Sequence, residues 1–151
     1  MATVHAINVS DGGVPKRPRP SAFISVNGCE GDRQRNLKFH GGPDRAVCIY
    51  SLELIGLLRA EGHPIEPGAI GENLTLSGVD WSAIEEGSLL RIVDVILEVT
   101  KPAFPCKTIT ASFVDHDSRR VSEKLHPGWS RWYCRVLHEG NIGAGDAVSV
   151  S

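Results

Sequence analysis

Apolar and polar positions alternate with a period of two along much of this chain, and that period predicts strands. "TVHAINV" near the start alternates in this way, and "SAFISVN" (21–27) does so after a proline-rich loop. "RAVCIYS" (45–51) is apolar enough for a buried strand, and "NLTLSG" alternates again. "SLLRIVDVILEVT" (88–100) is rich in β-branched residues over a length that predicts one bent strand or two paired ones. "RWYCRVL" and "DAVSV" close the series, and the glycine-rich "HEGNIGAG" between them predicts a hairpin connection.

One segment departs from this period. In "SLELIGLLRAEGHP", Leu52, Ile55 and Leu58 recur at helical spacing, Ser51 is placed to cap the start, and Gly62 followed by Pro64 ends the run. A weaker helical segment is expected within "DSRRVSEKL" (117–125). With 16 Gly and 9 Pro spread throughout, elements should be short. The expected fold is mainly β, barrel-like, with one or two short helices, because so many strands must pair or close to protect their edges. No repeat or linker divides the 151 residues, so the expectation is a single domain over 1–151.

Composition narrows the function. A net charge of −2 and a pI near 6.3 argue against a general nucleic-acid binder. The one basic cluster, "PKRPRP" (15–20), is broken by prolines and reads as an exposed extended loop whose cations can also reach an anionic ligand. No apolar run approaches the roughly 20 residues of a membrane-spanning helix, and the N-terminus does not have the pattern of a signal peptide. Cys29, Cys48, Cys106 and Cys134 lie far apart without a C-x-x-C pair, so neither a zinc site nor a disulfide framework is expected. The expected location is the cytoplasm, with reduced thiols and no membrane partner.

Three segments are candidates for chemistry. In "KPAFPCKTI" (101–109), Pro102 and Pro105 stiffen the loop that presents Cys106, and the adjacent charge of Lys107 favours a thiolate, the form that attacks or binds metal. A small apolar cysteine tucked under a loop explains the segment equally well, and the two readings stand level. The other three cysteines fall in strand-like runs or a glycine turn and read as structural. In "GDRQRNLKFHGGPDRAV" (31–47), His40, Gly41 and Gly42 form a loop able to present free N–H groups to an anion, with Asp44 and Arg45 beside it; a plain glycine turn is the commoner use. In "EPGAIGENLTLSG" (66–78), Asn73 stands at the mouth of a strand, either toward a ligand or tying its own turn. Trp129, Trp132 and Tyr133 read as packing.

Taken in order, "GDRQRNLKFHGGPDRAVCIYS", "PGAIGENLTLSG", "LEVTKPAFPCKTI" and "YCRVLHEGNIGAGDAVSV" resemble the MOSC domain, named for the C-terminal part of molybdenum cofactor sulfurase. The resemblance covers nearly the whole chain. It implies a small, strand-rich, barrel-like fold and a cysteine-centred site for the molybdenum–pterin cofactor, with Cys106 as the protein ligand to molybdenum and the catalytic centre. It implies that Asn73 lies near the pterin phosphate or the metal, and makes Lys16, His40, Gly41, Gly42, Asp44, Arg45 and Lys107 the candidates for holding the anionic cofactor. In many relatives an arginine shortly precedes the Pro-Cys pair, where this chain reads Ala103, and a glycine-aspartate is common where it reads Gly87-Ser88.

The implied activity is reduction of N-hydroxylated small molecules. No electron-transfer domain is recognisable, so the electrons are expected from an external electron-transfer protein. A sulfur carrier that takes a persulfide on Cys106 from a sulfur donor is the alternative, and a non-catalytic cofactor-binding module is a third reading.

Overall fold

The computed structural model describes residues 1–32 and 42–151. The strands among them are β1 (Thr3–Val9), β2 (Arg17–Arg19), β3 (Ser21–Ser25), β4 (Gly28–Cys29), β5 (Val47–Ser51), β6 (Leu74–Ser77), β7 (Leu89–Ile92), β8 (Val95–Pro102), β9 (Trp132–His138), β10 (Gly140–Gly143) and β11 (Val148–Val150). Eight of them form one sheet in the order β11-β7-β8-β9-β5-β6-β1-β2, and β10-β3-β4 form a second.

The large sheet brings its ends together without becoming a closed barrel. Thr3 and Ala147 make a single bridge. Around it, Val4 donates to Asp146 and Val148 donates to Ala2, both at 2.9 Å. These few bonds satisfy edge groups that would otherwise face water, but no full ladder joins β1 to β11.

The run 88–100 is two paired strands rather than one. Ile92 stands opposite Val95, and Val93 makes the turn at a φ of 56°. A β-branched residue seldom takes that left-handed conformation, and so the turn carries no glycine signal. "HEGNIGAG" is not a hairpin connection. It contains β10, which pairs with β3, while β11 crosses to β7. The reason is burial: Ile142 of β10 goes into the core.

The helix α1 (Leu52–Ala60) is as the spacing predicts. Ser51 Oγ accepts from Leu54 N at 3.1 Å, and Ile55 and Leu58 are buried. Gly62, at a φ of 101°, follows the last turn. The helix connects β5 to β6, which lie parallel, the arrangement a crossover helix serves. The weaker helical segment is a 3-10 turn, Ser118–Val121.

The core runs from Ile7 and Ile24 through Ile49, Leu74 and Leu97 to Phe113, all essentially free of solvent contact. Tyr50 and Trp81 meet edge to face with centroids 5.9 Å apart. Their polar tips are satisfied by one neighbouring segment: Tyr50 Oη donates to Trp129 O and Trp81 Nε1 to Ser130 O, each at 2.8 Å. The core thereby fixes residues 129–130, just ahead of Arg131.

Candidate functional site

The cysteine loop leaves the end of β8, held against the residue just before β9. Ala103 N donates to Arg131 O at 2.8 Å, and Ala103 is buried against Cys48 and Tyr133. Phe104 then turns outward and is 81% exposed. Cys106 follows at the start of a 3-10 turn, Lys107–Ser112, half-buried, with Sγ 2.7 Å from Thr108 Oγ1.

The other three cysteines are buried, as expected of structural residues. Burial pushes the Cys29 thiol up to about 12, helped by the charge of Asp32. Burial likewise raises Cys48 to about 11 against the opposing charge of Arg131, and takes Cys134 well above the ordinary range. Cys106 is therefore the thiol placed to react or to ligate.

It opens onto a cleft of about 870 Å³. The floor and walls come from Gly13, Val14 and Lys16 before β2, Ile70 and Gly71 before β6, the end of β8 at 101–102 and residues 104 and 106–109 beyond it, together with Cys48, Tyr133 and Arg131. Five cations line it, Lys16, Arg45, Lys101, Lys107 and Arg131, and no carboxylate does among the described residues. Such a surface favours an anionic ligand, because a cleft with low-dielectric walls concentrates the field of like charges.

Lys16 does not sit in an exposed loop. It is buried, with Nζ 2.5 Å from Asp32 Oδ2. Lys16 N donates to Gly68 O at 2.8 Å, and a Cβ on Gly68, whose φ is 83°, would collide with the carbonyl of Lys16. The close approach of these two backbones is what seats Lys16 at the cleft.

The cleft thus gathers Lys16, Arg45, Cys106 and Lys107 of the residues picked out by sequence. Arg45 also lies over the Tyr133 ring, 5.7 Å from its centre. Asn73 stands behind the wall and not on it. Its Oδ1 accepts from Cys48 N at 2.9 Å and its Nδ2 donates to Asp32 Oδ2 at 2.9 Å, so its polar atoms tie the backbone beneath the cleft. Asp44 meets Arg135 at 2.6 Å on the surface, and its carbonyl accepts from Thr100 Oγ1 at 2.5 Å. Gly42 precedes the 3-10 turn Pro43–Arg45 with a φ of 97°, accepting from Arg45 N at 3.1 Å. His40 and Gly41 lie outside the described residues.

Sequence reasoning missed Arg131, Lys101 and Asp32. Arg131 is hidden in "HPGWSRWYC", which reads as aromatic packing; a charge one residue ahead of an apolar strand was the available signal. Asp32 is 16 residues from Lys16, and only folding reveals the pair.

Beneath Asn73, Glu72 is fully buried, Oε2 accepts from Thr75 Oγ1 at 2.9 Å, and Oε1 is without a partner. Burial pushes its carboxyl above the ordinary range. At low pH both folded and unfolded chains carry this proton. As pH rises the unfolded chain ionises first, so Glu72 lowers stability on the alkaline side. Glu72→Gln is expected to be more stable than the wild type at a pH of about 7.5 and to lose that advantage below about pH 4. Denaturant titrations at both values check it; an equal gap at both would exclude ionisation as the cause.

With fold and cleft described, the class of protein follows. Residues 36–149 match the MOSC domain family, and this chain belongs to it. The chain is 33% identical over 135 residues to the uncharacterized protein YflK of Bacillus subtilis (strain 168), covering 88% of this chain and 60% of that protein. It is 34% identical over 134 residues to a protein of Gibberella moniliformis (strain M3125 / FGSC 7600) named "Reductase", covering 85% of this chain but 23% of the relative. The chain thus spans less than two thirds of either relative. The crystal structure of YiiM from Geobacillus stearothermophilus superposes with a TM-score of 0.75 at 23% identity, covering all of this chain and 75% of that one, which shows a shared fold. No helix among the described residues is long and apolar enough to cross a membrane.

Proposed function

We propose that the cleft binds a molybdenum–pterin cofactor and that the protein reduces N-hydroxylated small molecules with electrons from an external electron-transfer protein in the cytoplasm. The observation that carries this reading is a half-exposed thiol, Cys106, at a cleft lined by five cations and no carboxylate among the described residues. The donor set suits the group: a soft sulfur ligand for the metal, and fixed positive charge for an anionic phosphate. The relative named a reductase supports the same reading.

Cys106 would be the protein's ligand to the metal. Lys16, Arg45, Lys101, Lys107 and Arg131 would hold the anionic part, and His40, Gly41 and Gly42 are proposed as further cofactor-binding residues. When bound, the cofactor supplies two-electron redox chemistry; an N-hydroxyl compound takes up two electrons and two protons overall and leaves as the amine and water. The chain's own part is to orient the substrate beside Cys106 and to limit water there, with Phe104 standing at the mouth.

A second reading has its own observation. The hydroxyl of Thr108, 2.7 Å from Cys106 Sγ, is placed to donate to an anionic sulfur, which would also suit a persulfide carrier fed by a sulfur donor. Metal and pterin analysis of protein from a host that makes the cofactor tests the first reading, followed by turnover of an N-hydroxylated substrate with a chemical reductant. Near-stoichiometric molybdenum and pterin are expected. Their absence, with a mass gain of one sulfur on Cys106 after incubation with a cysteine desulfurase and cysteine, would replace it with the second.

A further inference from the structure

The five cations of the cleft are not alike. Lys16 is compensated by Asp32, and Arg45 stacks over Tyr133. Lys101 and Lys107 are exposed, where water solvates their charge. Arg131 is 5% exposed, and no carboxylate lies within ion-pair distance of it among the described residues. A buried arginine without a counter-charge is costly and rare.

Its position is well determined. Nη1 donates to Ile70 O at 2.8 Å and Nη2 to Phe104 O at 2.9 Å, so the guanidinium bridges the two walls of the cleft. Nε is sealed with no partner. A guanidinium has five N–H groups, so each Nη retains one beyond the wall carbonyls. Of the nearby acids, Asp32 is committed to Lys16 and Asn73, and Glu72 turns its Oε2 to Thr75 and makes no ion pair with Arg131. Arg131 also opposes the upward push of burial on Cys48 and Tyr133, both on the cleft wall.

Resting on the reading of the cleft as a ligand site, we propose that Arg131 is its anion-holding residue, receiving an oxyanion of the phosphate class between the Ile70 wall and the Cys106 loop. The missing counter-charge is then supplied by the ligand. The exposed lysines contribute attraction at a distance, and Arg131 contributes the directed hydrogen bonds.

The probe is inorganic phosphate, titrated into metal-free protein at constant ionic strength and followed by calorimetry and by thermal protection. The wild type should bind saturably. Arg131→Gln should bind about tenfold more weakly or worse, while Lys124→Gln, which removes an exposed cation away from the cleft, should bind like the wild type. Arg131→Lys, which keeps the charge and loses the fork, should fall between them. A folded Arg131→Gln that binds phosphate like the wild type, or a wild type that does not bind it, overturns the assignment and leaves Arg131 as a wall brace only. If Arg131→Gln fails to fold, a phosphate-soaked crystal of the wild type decides. Anion density against the Arg131 guanidinium supports the proposal, and its absence there overturns it. A wild type that retains molybdenum but shows no Arg131-dependent phosphate binding defeats the Arg131 assignment alone; Arg131-dependent binding without molybdenum retention defeats the cofactor reading alone.

Discussion

Cys106→Ser is expected to lose nearly all molybdenum and pterin when purified from a host that makes the cofactor, while remaining folded. The side chain is half-buried at the start of a 3-10 turn and contributes little to the core. Serine is close in size, and its hydroxyl can keep the contact with Thr108. The stability change should therefore stay below about 1 kcal/mol, or roughly 2–4 °C in Tm. The change in ligation is much larger, because a neutral hydroxyl replaces a soft thiolate. Metal analysis together with a thermal melt separates the two effects. Full molybdenum occupancy in the variant would sink the assignment of Cys106 as ligand, and loss of fold would show that the thiol is structural.

Asp32→Ala should be the most destabilising single change near the cleft, at roughly 3–5 kcal/mol, because it leaves a buried ammonium without its partner. Both side chains of the pair are less than a tenth exposed. Asp32 also accepts from Ser10 N at 2.8 Å and from Asn73 Nδ2 at 2.9 Å, so its loss frees donors on two further segments. Adding Lys16→Met should recover much of the loss, since most of the cost is the unpaired charge and not the missing attraction. Denaturant unfolding of the two single variants and the double variant completes the cycle. If the two single effects simply add, Lys16 and Asp32 are not coupled, and Asp32 is not the counter-charge that Lys16 needs.

These two residues mark how far the sequence could be read. The site of Cys106 was legible because its signal is local: prolines that stop a strand and a cation next to a thiol lie within a few residues of one another. Most strands and the helix were legible for the same reason, since period-two alternation and the Ser51 cap are short-range patterns. The hairpin at Val93 was ambiguous because a β-branched residue occupies the position where glycine would announce a turn. β10 was hidden because a four-residue strand with two glycines looks like a connection until Ile142 is found in the core.

By itself the sequence determined the strand-rich class, the position of α1, the cysteine to propose for the site and the family to which the chain belongs. All of these depend on residue types at short spacings. Only the tertiary structure decided that Lys16 is buried on Asp32, that Asn73 faces the scaffold, that the sheet stops short of a closed barrel, and that Arg131, lining the same cleft as Cys106, has no carboxylate within ion-pair distance among the described residues. The physical reason is the same in each case: burial and charge compensation depend on groups tens of residues apart, and no local pattern records which of them meet.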